Sequence, residues 1–142
     1  MRPIGLVPEL YVSDIAKTRV FYVDLLGFKV LYERPEDKFM YMERGNARMM
    51  FEELGVGRNW ITGELEPPWG RGINFQIEVE NVDELYAKVQ GAAPPVGGKL
   101  FLPLEEKWYR KDDVHVGNKQ FIVQDLDGYL LRFFEDLGQR KN

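Results

Sequence analysis

Residues 120–136 read QFIVQDLDGYLLRFFED, two strand-like runs that flank a tight acidic turn ending at Gly128. Apolar runs on either side of an Asp-Gly pair are typical of a β-hairpin. The second run carries a single cation, Arg132, among apolar neighbours. A guanidinium in such a strand either neutralises a nearby carboxylate or presents planar hydrogen-bond donors to a bound molecule. The role of Arg132 therefore bears on what the chain does.

The composition is that of an ordinary soluble domain. The 142 residues are 44% apolar and 30% charged, and no apolar run approaches the roughly 18 residues of a membrane span. The chain has no cysteine, which excludes disulfides and thiolate chemistry and fits a reducing compartment. The formal charge of −4 argues against general nucleic-acid binding and mildly favours a cationic ligand. We expect a cytoplasmic protein that binds neither membranes nor nucleic acids.

Hydrophobic periodicity predicts the order strand, helix and three strands, and it predicts that order twice. Ser13 or Asp14 is the expected N-cap of the first helix and Asn81 that of the second, while Gly27 and Gly91 should end them. The predicted strands are residues 6–12, 28–32, 39–42, 48–52, 73–79, 99–102, 119–123 and 129–134.

The chain therefore reads as one domain, residues 1–142, made of two copies of a βαβββ module. Module one covers about 4–54, a linker rich in Gly and Pro covers about 55–72, and module two covers about 73–137. Residues 103–118 carry no clear strand pattern and are predicted to be irregular.

Alternation along the strands sorts polar side chains onto one face of each predicted sheet. The apolar set of each strand should pack on a helix, so the polar set faces either solvent or a cavity. If the sheets curl together, the polar set forms a partly aromatic concavity. Its predicted members are Glu9, Tyr11, Gln76, Glu78 and Arg132.

The repeated module, the opening VSDIAKTRVFYVDLLGF (residues 12–28) and the ending QDLDGYLLRFFED (residues 124–136) resemble the vicinal-oxygen-chelate superfamily. This superfamily includes glyoxalase I, extradiol dioxygenases and bleomycin-resistance proteins, and the resemblance spans roughly residues 4–137. It implies an α+β fold in which two βαβββ modules form a curved, barrel-like mixed sheet around a central cavity, with the helices outside.

Enzymes of that superfamily hold a divalent metal at four inward-facing strand positions. The resemblance places Val7, Met50, Asn74 and Arg132 at these positions. Valine offers no donor, methionine offers only a soft thioether, and arginine carries a permanent charge that repels a cation. His115 is the only histidine and cannot supply the usual pair. We therefore expect neither a metal nor another cofactor.

A metal-free site combined with the ending D-x-D-G-x-L-L-R most resembles the bleomycin-resistance proteins, which sequester the drug without altering it. The resemblance implies a homodimer that binds a bleomycin-like glycopeptide antibiotic in a groove between the chains. Pro8 matches the point at which the first strand of those proteins crosses to the partner subunit. An ordinary proline in an edge strand is the alternative.

Such a groove needs aromatic walls for flat heteroaromatic rings and carboxylates or π faces for a cationic tail. The predicted ligand-binding residues are Glu9, Tyr11, Phe39, Met50, Glu52, Asn74, Gln76, Trp108, Tyr109 and Arg132. Trp60 and Trp69 of the linker are further candidates, although each such aromatic can instead anchor its own loop. Relatives often carry Trp-Gly where this chain has Val116-Gly117, so the motif does not fix bleomycin as the ligand.

Two other functions stay open from the sequence. A metal-free isomerase or lyase would use Glu9 or Glu78 as a base, provided that burial raised its pKa. A metabolite-binding module of the same fold is the other. For the favoured function, stoichiometric binding, no catalytic residue is predicted.

Overall fold

The computed structural model describes residues 4–92 and 98–141. The elements, in chain order, are β1 (Glu9–Val12), α1 (Ile15–Arg19) continued by a π-helical segment (Val20–Leu25), β2 (Lys29–Arg34), a 3-10 turn (Pro35–Asp37), β3 (Phe39–Arg44), β4 (Ala47–Glu53), β5 (Asn74–Glu78), α2 (Val82–Gln90), β6 (Lys99–Lys111), β7 (Val114–Gln124) and β8 (Leu130–Lys141). The order βαβββ thus occurs twice, as the periodicity predicts.

The strands form two four-stranded sheets, ordered β1-β4-β3-β2 and β5-β8-β7-β6. In each sheet the first strand of the module lies at an edge and pairs in parallel with the last strand, whereas the other pairs are antiparallel. The predicted α+β class and the two modules are confirmed. The described strands make two separate mixed sheets rather than one closed, barrel-like sheet, since β1 and β5 each pair with one other described strand only.

A single apolar core joins the two modules. Tyr22 of the π-helical segment is buried and contacts Phe21, Phe28 and Phe51 at ring-centroid distances of 5.2, 5.3 and 4.4 Å. Side chains from β5, α2, β7 and β8 belong to the same buried cluster. Because the helix-bearing sides of both modules build this core, the other face of each sheet lies outside it. We call these the open faces.

The acidic turn at residues 125–128 joins module two to module one. Asp125 is buried, and its Oδ2 accepts a hydrogen bond from the Tyr22 hydroxyl at 2.5 Å. Its Oδ1 accepts from the backbone N–H groups of Asp127 and Tyr129 at 3.0 and 2.8 Å. The Tyr129 hydroxyl donates to the carbonyl of Tyr11 at 2.9 Å. The motif residues before and after Gly128 therefore serve the fold.

The helix ends follow the predicted capping chemistry. Of the two candidate N-caps, Asp14 is the one used, since its Oδ1 accepts from the N–H of Lys17 at 3.0 Å. Asn81 caps α2, and Gly27 has the left-handed φ of +80° that favours glycine. No helix within residues 4–92 and 98–141 is long and apolar enough to cross a membrane.

The prediction of an irregular segment at residues 103–118 was wrong. β6 and β7 run through it and turn at Asp112 and Asp113, where Asp112 has a φ of 56°. Pairing continues residue by residue, for example between Trp108 and Gly117. We call residues 103–118 of β6 and β7 the ribbon. Its many charged residues hide the alternation of apolar and polar side chains, because this part of the sheet has no wholly apolar face.

Candidate functional site

The open face of the first sheet brings five predicted ligand-binding residues together. In the register of β1 with β4, Glu9 is opposite Met50 and Tyr11 is opposite Glu52. Phe39 of β3 is opposite Glu52 on its other side. Tyr11 and Phe39 are buried without belonging to the shared core. Glu52 therefore lies between two aromatic rings on this face.

Glu52 is an unpaired acid in a mostly buried position. It is 7% exposed, and within the described residues its carboxylate has no hydrogen-bond or ion-pair partner. Burial raises the pKa of Glu52 above its usual value, the carboxylates of Glu9 and Asp37 raise it further, and Arg34 lowers it. The site thus holds a desolvated carboxylate that is free to accept hydrogen bonds.

Residues 55–60, which we call the strap, fold over this face from the start of the linker. The backbone N–H of Trp60 donates to the Tyr11 hydroxyl at 2.6 Å. Gly57 lies directly on Glu52, since a Cβ at position 57 would collide with Oε1 of that carboxylate. The strap covers Glu52 without donating a hydrogen bond to it within the described part of the chain.

An aromatic and arginine ladder, formed by Tyr32, Tyr41, Phe39, Arg34 and Arg48, continues the same face. The rings of Tyr32 and Tyr41 stack at 5.0 Å with an interplanar angle of 15°. The guanidinium of Arg34 lies 4.0 Å from the Phe39 ring centroid, and that of Arg48 lies 5.9 Å from the Tyr41 ring centroid. The two tyrosines are absent from the predicted site. Period-two alternation from Phe39 would have found Tyr41.

The open face of the second sheet carries Arg132. In the register of β5 with β8, Gln76 is opposite Arg132 and Asn74 is opposite Leu130. Nη2 of Arg132 donates to Oε1 of Gln76 at 3.4 Å, while its buried Nε has no partner among the described residues. No ion pair joins Arg132 to Glu78 in that part of the chain, nor to a carboxylate of the first sheet. Arg132 therefore keeps donor capacity for another molecule.

Gln120 is a site residue that the sequence reasoning missed. It is 2% exposed, and its Nε2 donates to Oε2 of Glu105 at 2.9 Å and to the Tyr109 hydroxyl at 2.7 Å. Alternation places it on the open face with Arg132, since its neighbour Phe121 is in the core. Trp108 and Tyr109 are adjacent on β6 and point to opposite faces, so only Tyr109 shares the face of Arg132.

The three tryptophans occupy three different environments. Trp60 is 66% exposed on the strap, and Trp69 packs against the core. Trp108 lies across Gly117 of the neighbouring strand, where a Cβ would approach the indole ring to 2.7 Å. The guanidinium of Arg140 is 4.2 Å from the centroid of the same ring. Trp108 is thus held as a structural part of the ribbon on the side away from Arg132.

The predicted site residues form two groups on two different sheets. The first group is Glu9, Tyr11, Phe39, Met50 and Glu52, and the second group is Asn74, Gln76, Tyr109 and Arg132. Within residues 4–92 and 98–141 no side-chain hydrogen bond or ion pair joins one group to the other. The two groups therefore lie on different sheets and make no direct polar contact in the described part of the chain.

The residues at the four metal positions do not fit a divalent cation. Val7 precedes β1, Met50 lies on the first sheet, and Asn74 and Arg132 lie on the second. They offer no carboxylate and no imidazole. Among the described residues, no three or more His, Asp or Glu side chains are grouped so as to hold a metal ion.

Comparisons with known proteins agree with this architecture. The family model for the Glyoxalase/Bleomycin resistance protein/Dioxygenase superfamily matches residues 6–133. Curated proteins named bleomycin resistance protein, from Geobacillus stearothermophilus and Staphylococcus aureus, are 29% identical and align over 92% of this chain and 96% of their own. The crystal structure of TioX from Micromonospora sp. ML1 is 23% identical, covers 93% of this chain and 98% of that one, and has a TM-score of 0.67. A superfamily member from Vibrio splendidus 12B01 is 40% identical over 91% of this chain and 95% of its own, with a TM-score of 0.42.

Proposed function

The chain belongs to the glyoxalase/bleomycin resistance protein/dioxygenase superfamily, and we propose that it binds and sequesters a bleomycin-like glycopeptide antibiotic without changing it chemically. The observation that carries the proposal is the open face of the first sheet, where an unpaired carboxylate adjoins a stack of aromatic rings. The similarity to bleomycin resistance proteins over most of the chain supports the same ligand class.

The chemistry of the two groups suits a ligand of this kind. A flat heteroaromatic unit can stack on the exposed Tyr32 beside Tyr41, and a cationic end can approach Glu9 and Glu52. Arg132 presents planar N–H donors to carbonyl or anionic groups of the same molecule. Binding of this type needs no acid, base or metal.

The separation of the two groups indicates that the complete groove needs two chains. We propose a homodimer in which the first group of one chain faces the second group of its partner, giving two equivalent grooves. Because β1 pairs with β4 of its own chain, and the Pro8 carbonyl accepts from the Met50 N–H at 2.8 Å, this dimer requires no exchange of the first strand.

A metal-free isomerase or lyase is the second candidate. The observation in its favour is Glu52 itself, since burial raises its pKa and its carboxylate has no partner within the described residues, as suits a general base. Recovery of chemically altered ligand would favour this candidate over sequestration.

The first test is a titration of bleomycin into the purified protein, followed by tryptophan fluorescence and by mass spectrometry of the recovered drug. We expect saturation at one drug per chain, weakening at high salt, and recovery of the drug with its mass unchanged. A fluorescence signal that stays flat across the titration, with no drug retained on gel filtration, would exclude this ligand.

The shared groove has its own test in subunit complementation. Glu52→Gln and Arg132→Met each disable both grooves of their own homodimer. When the two variants are unfolded together and refolded as a mixture, heterodimers form that carry one intact groove and one doubly altered groove. About a quarter of all grooves should then bind the drug at the affinity of the unaltered protein, as random pairing requires. A mixture that binds no better than the separate variants would place both groups within one chain.

A further inference from the structure

The covered carboxylate under the strap has the properties of a binding subsite in its own right. Glu52 is 7% exposed, and its neighbours in the sheet are Tyr11 and Phe39. The other acids nearby are engaged, since Oε1 of Glu9 accepts from the Tyr11 hydroxyl at 3.0 Å and Asp37 is 3.6 Å from Arg34. The Glu52 carboxylate has no donor within the described residues, so a ligand that supplies one would form a charge-assisted hydrogen bond here.

The strap adds a second, independent sign of a missing occupant. Its own hydrogen bonds run from the Gly55 N–H to Oδ1 of Asn59, at 2.7 Å, and from Trp60 to Tyr11. Nδ2 of Asn59 is buried and has no partner within the described residues. Within the described residues the strap therefore leaves one unpaired donor, and Glu52 of the sheet beneath it leaves an unpaired acceptor.

The donor set favours an organic cation over an inorganic one. A divalent metal ion takes six to eight oxygen ligands or a set of His and carboxylate donors, whereas this subsite offers one free carboxylate. An alkylammonium group needs one strong acceptor for its N–H donors and apolar or π surface for its chain. The Glu52 carboxylate provides the first, and the rings of Tyr11 and Phe39 provide the second.

We propose that Glu52, Tyr11, Phe39 and the strap form an alkylammonium subsite, closed from above by Gly57. A side chain at position 57 would push the Glu52 carboxylate out of its present position. The inference deepens the proposed function, on which it rests for the location of the groove, and it names the ligand group that this end of the groove takes.

The test uses n-butylammonium, with n-butanol as the neutral counterpart of similar length. Binding to the full chain is followed by the amide NMR shifts of Gly57 and Trp60, and the folding of each variant by its overall amide spectrum. We expect saturable shifts with n-butylammonium and none with n-butanol. Glu52→Gln should weaken n-butylammonium binding at least about tenfold, equivalent to about 1.4 kcal/mol. Gly57→Ala should weaken it as well.

Glu33→Gln is the matched control. It removes the same charge from the same sheet, but Glu33 is paired with Arg19 and does not adjoin the strap. This control should change n-butylammonium binding less than about twofold, as expected for an exposed charge screened by salt. Equal effects of Glu33→Gln and Glu52→Gln would reduce the subsite to a general attraction by the net negative charge and would overturn the inference.

The outcomes separate this inference from the proposed function. If the unaltered protein binds bleomycin and n-butylammonium produces no shift, the subsite is wrong and sequestration stands. If n-butylammonium binds as expected and bleomycin does not, the subsite is right and the antibiotic is wrong.

Discussion

Asp125 gives the sharpest test of how the two modules are held together. Its carboxylate is 6% exposed and accepts three hydrogen bonds, from the Tyr22 hydroxyl and from the N–H groups of Asp127 and Tyr129. Burial nevertheless raises its pKa from 3.8 to about 6, because the cost of desolvating the charge exceeds the gain from those donors. The folded state therefore holds the proton on Asp125 up to a higher pH than the unfolded state does.

The sign of the pH dependence follows directly. Between about pH 4 and pH 6 the folded state binds this proton more tightly than the unfolded state does, so the free energy of unfolding falls as pH rises. The difference between 3.8 and about 6 corresponds to a loss of about 3 kcal/mol, complete above pH 6. Asp125→Asn removes the ionisation. Its amide can still accept from the two N–H groups and can donate to the Tyr22 oxygen.

The assay is urea unfolding of both proteins at several pH values from 4 to 7, followed by tryptophan fluorescence. We expect the stability of Asp125→Asn relative to the unaltered protein to increase by about 3 kcal/mol across that range. Taking the difference removes contributions from groups that titrate equally in both, Glu52 among them. If the free energy of unfolding of the unaltered protein instead rises relative to that of the variant as pH rises, the hydrogen bonds outweigh burial and the reasoning fails.

Three further predictions follow from particular contacts. Tyr22→Phe removes one donor to Asp125 and should cost about 1–3 kcal/mol in urea unfolding at pH 7; an unchanged midpoint would show that the bond contributes nothing. Gly117→Ala forces a Cβ against the Trp108 indole and should cost about 1–3 kcal/mol and shift the tryptophan emission. Gly5→Ala, where a Cβ meets nothing within 4 Å, is the control. Tyr41→Leu removes the ring stacked on Tyr32 and should weaken bleomycin binding by roughly 0.5–1.5 kcal/mol in the titration; equal affinity would exclude the ladder from the groove.

Local patterns in the sequence were sufficient for the order of elements and for the faces of the strands. Asp14 and Asn81 cap the helices, and alternation correctly separates Glu9 and Tyr11 from the apolar side of β1. Alternation cannot show which other face a polar face opposes, because that depends on how the modules pack. The sequence therefore could not show that Arg132 lies on a different sheet from Glu9.

The wrong prediction that residues 103–118 are irregular also affected the predicted site. With residues 103–118 treated as irregular, Trp108 and Tyr109 seemed able to line the same groove. Once β6 is known to be a strand, they must point to opposite faces. Gln120 was not predicted for a different reason. Its side chain donates to Glu105 and Tyr109 on the neighbouring strand, and a local sequence pattern does not show contacts between strands.

The stretch around Gly128 explains why the family is readable from this sequence while the ligand is not. The side chains of Asp125 and Tyr129 form hydrogen bonds between the modules, and the apolar core around Tyr22 packs at the same junction. This junction lies on the core side of the sheets, away from the open faces. Arg132 lies only three positions after Tyr129, yet its partner within the described chain is Gln76 on an open face. The turn identifies the scaffold, whereas Arg132 and Glu52 lie on the open faces, where we propose that the ligand binds.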